Sequence, residues 1–258
     1  MPRGAHLSAP LVSLAGGMAI MSDTTPSDTH GASIVAEAAT FPFRGQPRDA
    51  YLALPEGAGP FPGVVVIHEI YGLNDNIRDV ARRFAAAGYA ALAIDLFAGR
   101  NRTVCMFRFM SQILARPLDN ASLDELKAAL TWLSERPAVD AARLGAIGFC
   151  MGGSFAIAWA CVDQRLRVIA PFYGMNPRPL EATRRMCPVV ASYPDKDITT
   201  GSGRKLEAEL SAAGVPHDFR IYPNTKHGFF NDQSSIYAPA ASADAWARIM
   251  AFFGERLS

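Results

Sequence analysis

Residues 63–68 read GVVVIH, a β-branched run with no polar alternation. A strand with one wet face alternates apolar and polar side chains. A run without alternation is stable only where both faces are covered, as in the interior of a parallel sheet. Strand patterns recur at 50–54, 89–95, 144–149, 168–172, 189–193 and 217–222, and helical spacing fills the intervals at 76–87, 107–115, 122–135, 152–161, 203–213 and 239–256. Gly88 stands where a helix C-cap belongs, and Ser122-Leu-Asp-Glu125 reads as a capping box opening its helix. Strands alternating with helices predict an α/β fold with a mostly parallel central sheet and helices on both faces.

The composition fits a large core: half of the 258 residues are hydrophobic. With 25 basic against 24 acidic residues and no basic stripe, the chain lacks the footprint of a nucleic-acid binder. No run approaches the roughly 18 apolar residues of a membrane helix. Residues 9–21 are apolar but broken by Pro10 and Gly16-Gly17, and 22–33 have linker composition. Arg3 is the one basic residue ahead of that stretch and no small-residue cleavage pattern follows, so 1–33 read as a disordered leader or mis-assigned start rather than an export signal. Residues 34–258 then form a single domain. Four cysteines without a CxxC pair suit a reducing cytoplasm, and five histidines without zinc spacing point to no metal. Cytoplasmic localisation is the expectation.

Gly148-Phe-Cys150-Met-Gly152 lies where a strand pattern gives way to a helix. This is the G-x-Nuc-x-G nucleophile elbow, with cysteine as the nucleophile. The glycines leave room for a tight turn, and the helix N-terminus behind it favours a thiolate and an oxyanion. A cysteine nucleophile needs a base, and the base an orienting carboxylate. His227 follows the last strand pattern, and Asp197 follows the one before it, giving the chain order nucleophile, acid, histidine. Asp195 is the rival acid, though Pro194-Asp195 is also good turn chemistry. Cys105, Cys161 and Cys187 read as small buried hydrophobes.

Taken together, four separated segments resemble the dienelactone hydrolase family of α/β-hydrolases: His68-Glu-Ile-Tyr-Gly-Leu-Asn74, Gly148 to Gly153, Pro194 to Asp197 and Tyr222 to Phe229. The resemblance runs from about residue 34 to the C-terminus. It implies an α/β-hydrolase fold, no cofactor and a small-molecule ester or lactone substrate. It supports Asp197 over Asp195 and implies that Glu69 keeps the resting Cys150 protonated, then takes its proton when substrate enters. It implies an oxyanion hole from the backbone N–H groups of Ile70 and Met151. Two arginines bind the substrate carboxylate in relatives acting on dienelactone. Arg100 in Leu96-Phe-Ala-Gly-Arg100 is the candidate for one, and Asn231 stands where the other belongs. Pro194 replaces a glycine usual in the aspartate turn. Tyr71 and Phe229, beside the proposed site residues, are pocket candidates.

The expected function is hydrolysis of an ester or enol-lactone through an acyl-thioester on Cys150, with His227 handling the protons of leaving group and water. A broader carboxylesterase or thioesterase is the alternative suggested by Asn231. A non-catalytic small-molecule-binding relative is the other, opposed by the intact Cys150, Asp197 and His227.

Overall fold

Eight strands form one sheet in the order β1-β2-β4-β3-β5-β6-β7-β8 in the computed structural model, which describes residues 33–97 and 102–258, the side chains of Arg102 and Met110 excepted. The sequence-read leader over 1–32 and Arg100 lie outside the described residues. The strands are β1 (Ile34–Phe43), β2 (Gln46–Pro55), β3 (Phe61–Ile67), β4 (Ala90–Ile94), β5 (Val139–Phe149), β6 (Leu166–Phe172), β7 (Val189–Pro194) and β8 (His217–Tyr222). From β4 to β8 every pairing is parallel, whereas β1 and β2 are antiparallel to their neighbours. The apolar run in β3 is buried between β4 and β5, as its lack of alternation requires.

Helices α1 (Asp75–Ala86), α2 (Arg102–Ala115), α3 (Ala121–Ser134), α4 (Met151–Ala160), α5 (Thr200–Ala212) and α6 (Pro239–Arg256) connect or follow the strands. Leu144 and Gly145 are adjacent on β5 and so point to opposite faces. Leu144 shares its side with Leu133 of α3, and Gly145 faces Phe253 of α6. α1 joins α6 through Phe84, whose ring meets Trp246 and Phe253. The sheet is therefore sandwiched, and its parallel strands aim their C-terminal ends at one edge.

Three local expectations need correction. β1 pairs with β2 along its whole length, although its polar residues and Pro42 hide the strand in the sequence. The hairpin turns at Arg44 and Gly45, both with positive φ (50° and 74°), the geometry of a type I′ turn normally announced by Asn-Gly. The capping box at Ser122 does not form. Asn120 caps α3 instead, accepting from the backbone N–H of Ser122 and Leu123, while the Ser122 hydroxyl donates to Gln112 and Glu125 pairs with Arg48 of β2. α2 and β5 begin about five residues earlier than the sequence pattern suggests. Gly88 does follow α1 with φ +94°, as a glycine C-cap should.

Candidate active site

β5 ends at Phe149 and α4 starts at Met151, so Cys150 alone turns the chain. Its backbone holds φ 56° and ψ −115°, a conformation costly for a residue with a Cβ and maintained by what surrounds it. The Cys150 N–H donates to the Phe172 carbonyl of β6 (3.1 Å), and its own carbonyl accepts from Ser154 N–H (3.1 Å). The flanking glycines are sterically required. A Cβ on Gly148 would lie 2.2 Å from the Gly152 carbonyl oxygen, one on Gly152 2.4 Å from that of Ile67, and one on Gly153 2.4 Å from that of Phe172.

His227 and an aspartate reach the same edge from the loops after β8 and β7. His227 Nδ1 lies 2.6 Å from Asp197 Oδ2, and Asp197 Oδ1 accepts from the Thr199 N–H at 2.6 Å. The Asp197 side chain is nearly buried (3%), while that of His227 is 38% exposed. Donation from Nδ1 to the carboxylate leaves Nε2 as the basic nitrogen facing reactants. Asp195 plays a different part. Its carboxylate accepts the backbone N–H groups of Asn224 (2.8 Å) and Thr225 (3.1 Å), tying the β7 loop to the turn that carries His227.

Glu69 follows β3 and is 5% exposed. Tyr173 Oη donates to its Oε1 (2.9 Å) and Asn231 Nδ2 to its Oε2 (3.1 Å). Burial first, and the Glu69 charge second, raise the Tyr173 phenol well above its ordinary pKa, so it remains a hydrogen-bond donor. Its ring also packs on His227 at 4.7 Å. Tyr173 has no motif in the sequence, and only the end of β6 beside β5 brings it here. Neighbouring His68 is fully buried. Its Nε2 accepts from the Leu96 N–H (3.0 Å), which leaves Nδ1–H to donate to the Glu69 carbonyl.

The helix N-terminus does not prevail at Cys150. Desolvation first, then the Glu69 charge, push its thiol up to about 12; the Met151 N–H acts in the opposite direction and Asp197 adds to the rise. The resting thiol is thus protonated, contrary to what the helix terminus alone predicts. Among the described residues no hydrogen bond joins the thiol to Glu69 or His227.

Two cavities meet at Cys150, Ile70 and His227. A small one of about 60 Å³ is walled by Glu69, Tyr71, Asn231, Ser234 and Ile236. A larger one of about 510 Å³ extends along α2 past Met106, Ile113, Met151, Met175 and Ile198. Tyr71 and Asn231 therefore face the site, Asn231 while engaged by Glu69. Phe229 does not: it is fully buried against Phe172, Tyr173 and Tyr222, because the turn after His227 directs its ring into the core. No group of three or more His, Cys, Asp or Glu placed to hold a metal occurs among the described residues. No helix among them is long and apolar enough to cross a membrane.

Known proteins resemble this chain in sequence and in fold. The model of the "Dienelactone hydrolase family" matches residues 48–257. A "putative carboxymethylenebutenolidase" of Escherichia coli is 31% identical over 89% of this chain and 89% of its own. A "probable 2-oxo-3-(5-oxofuran-2-ylidene)propanoate lactonase" of Bradyrhizobium is 33% identical over 78% of this chain and 87% of its own. The crystal structure of a "putative dienelactone hydrolase" from Klebsiella pneumoniae superposes with a TM-score of 0.76 at 28% identity, covering 86% of this chain and 99% of that one.

Proposed function

The chain belongs to the dienelactone hydrolase family and is a hydrolase of esters or lactones, and from that premise we propose that it works through a Cys150–His227–Asp197 triad and an acyl-thioester intermediate. The observation that carries this reading is the 2.6 Å bond between buried Asp197 and a His227 that shares a cavity with a cysteine on a strained elbow. As a carbonyl enters, the thiol proton moves to Glu69 and the sulfur attacks. The oxyanion is met by the N–H groups of Ile70 and Met151, one from each loop. Collapse breaks the ester bond, and the proton held by Glu69 reaches the leaving oxygen through His227. Nε2 of His227 then takes a proton from water as it attacks the thioester. Return of that proton to the departing sulfur restores the neutral thiol. Asp197 holds the ring in the required tautomer throughout.

A thiolate adds readily but is itself a good leaving group, so the reaction goes forward best when the other leaving group is also stabilised. Enol-lactones and activated esters should therefore outrun simple ethyl esters. A broader carboxylesterase or thioesterase role is favoured by Asn231, whose amide serves Glu69 and supplies no cation for a substrate carboxylate. The test follows dienelactone absorbance and p-nitrophenyl acetate hydrolysis in parallel, with Cys150→Ala as control. Turnover lost in the variant supports the triad, and ester turnover without dienelactone turnover selects the broader role. Activity on neither substrate, or activity surviving in Cys150→Ala, rejects the mechanism.

A further inference from the structure

The two cavities that share Cys150 differ in size and in chemistry. The small one ends on the Glu69 carboxylate, which is held by two neutral donors, the Tyr173 hydroxyl and the Asn231 amide. An anionic substituent placed there would face a carboxylate, and among the described lining residues the one side chain that can carry a positive charge is His227. The cavity along α2, about 510 Å³, is within the size range of small-molecule sites and is walled mainly by aliphatic and thioether side chains. Among the described residues its charged lining side chains are Asp197, already engaged by His227, and Lys196, which is exposed and donates to Asn224 Oδ1 at 3.2 Å. Deep in this cavity, beside Met106, Ile113 and Met151, a carboxylate would lose its hydration with no cation among the described residues to replace it.

We propose that the site selects esters whose larger arm is neutral and apolar, of about six carbons or more, and discriminates against a carboxylate on that arm. This specificity rests on the hydrolase reading above. The small cavity takes the smaller arm, and methionine side chains in the wall of the larger one adapt to arms of varied shape.

The test uses 2,2,2-trifluoroethyl esters, whose leaving group is small and activated. Values of kcat/KM are compared for the acetate, the hexanoate and the hydrogen adipate, the last matching the hexanoate in length but ending in a carboxylate. Full burial of a methylene allows roughly a fourfold gain each. The hexanoate should exceed both the acetate and the hydrogen adipate by at least tenfold. Ile113→Trp, which fills the apolar cavity, should bring the hexanoate-to-acetate ratio close to one, with Met175→Trp as a second variant should the first fail to fold. A flat chain-length series, a hydrogen adipate as good as the hexanoate, or a ratio indifferent to the filling variants overturns the proposal.

Absence of Cys150-dependent turnover on every ester would instead reject the catalytic reading. Binding then decides the specificity separately. N-(2,2,2-trifluoroethyl)hexanamide titrated calorimetrically into Cys150→Ala should bind, and at least fivefold more weakly when Ile113→Trp is added. No binding, or equal binding to both variants, overturns the proposal as well.

Discussion

Glu69 and Glu125 are both nearly buried, at 5% and 1% exposure, and are held in opposite ways. Glu125 of α3 meets a formal cation, with Oε1 3.0 Å from Arg48 Nε on β2. This pair clamps a helix to the antiparallel end of the sheet, far along the strand order from the elbow. Glu69 is held by a phenol and an amide, so among the described residues its charge is hydrogen-bonded but not balanced by a cation. That residual charge acts on Cys150 and helps keep its thiol neutral. A buried charge that only supports the fold is neutralised by its partner, whereas one beside the elbow keeps an electrostatic effect on the residue next to it.

The largest expected effect separates activity from stability at the site. Asp197→Asn should lower kcat by roughly 10²- to 10⁴-fold through loss of the histidine tautomer, as in other triads, with little change in melting temperature. Asp195→Asn should cost less than tenfold in kcat and about 1 kcal/mol in stability, because its carboxylate serves only two backbone N–H groups. Similar kinetics for the two variants would undo the assignment of Asp197.

At the other end of the sheet the effects should be reversed. Arg48→Ala removes the cation that pairs with buried Glu125 and should lower stability by about 3 kcal/mol, or roughly 8 °C in melting temperature for a domain of this size. Its kcat/KM should stay within twofold of wild type. A large kinetic effect would show that the two glutamates are not energetically separate.

The smallest effect concerns the thiol. With the Cys150 pKa pushed up to about 12, chiefly by burial and then by Glu69, its thiolate fraction rises tenfold per pH unit through pH 11. Iodoacetamide labelling of the Cys150 peptide should follow that slope without a plateau. Glu69→Gln removes the like charge and lowers the pKa, so labelling at pH 8 should be several-fold faster. Unchanged labelling would leave burial, with the smaller contribution of Asp197, as the cause of the neutral thiol.

The elbow was legible because its requirements are local. Gly148 and Gly152 are demanded by backbone atoms a few residues away or on the adjoining strand, and that demand is written as G-x-C-x-G. Asp197 and His227 were legible through their places after successive strands, which family resemblance sharpened. Ser122 misled because two candidate caps stand two residues apart. Asn120 captures the free N–H groups while Gln112, from α2, claims the serine hydroxyl. Phe229 misled because its neighbour faces the cavity, while the turn after His227 sends its ring to the opposite side.

By itself, the chain's order of residues determined the α/β class, the elbow cysteine, the acid–histidine order and the family, since these depend on periodicity and on motifs a few residues long. Tertiary structure alone decided how Glu69 is held, because Tyr173 and Asn231 lie 104 and 162 residues from it and meet it only at the strand ends. It also decided the neutral state of Cys150. Burial and a neighbouring charge are properties of the folded surroundings, and here they outweigh the helix terminus that the sequence places beside the thiol.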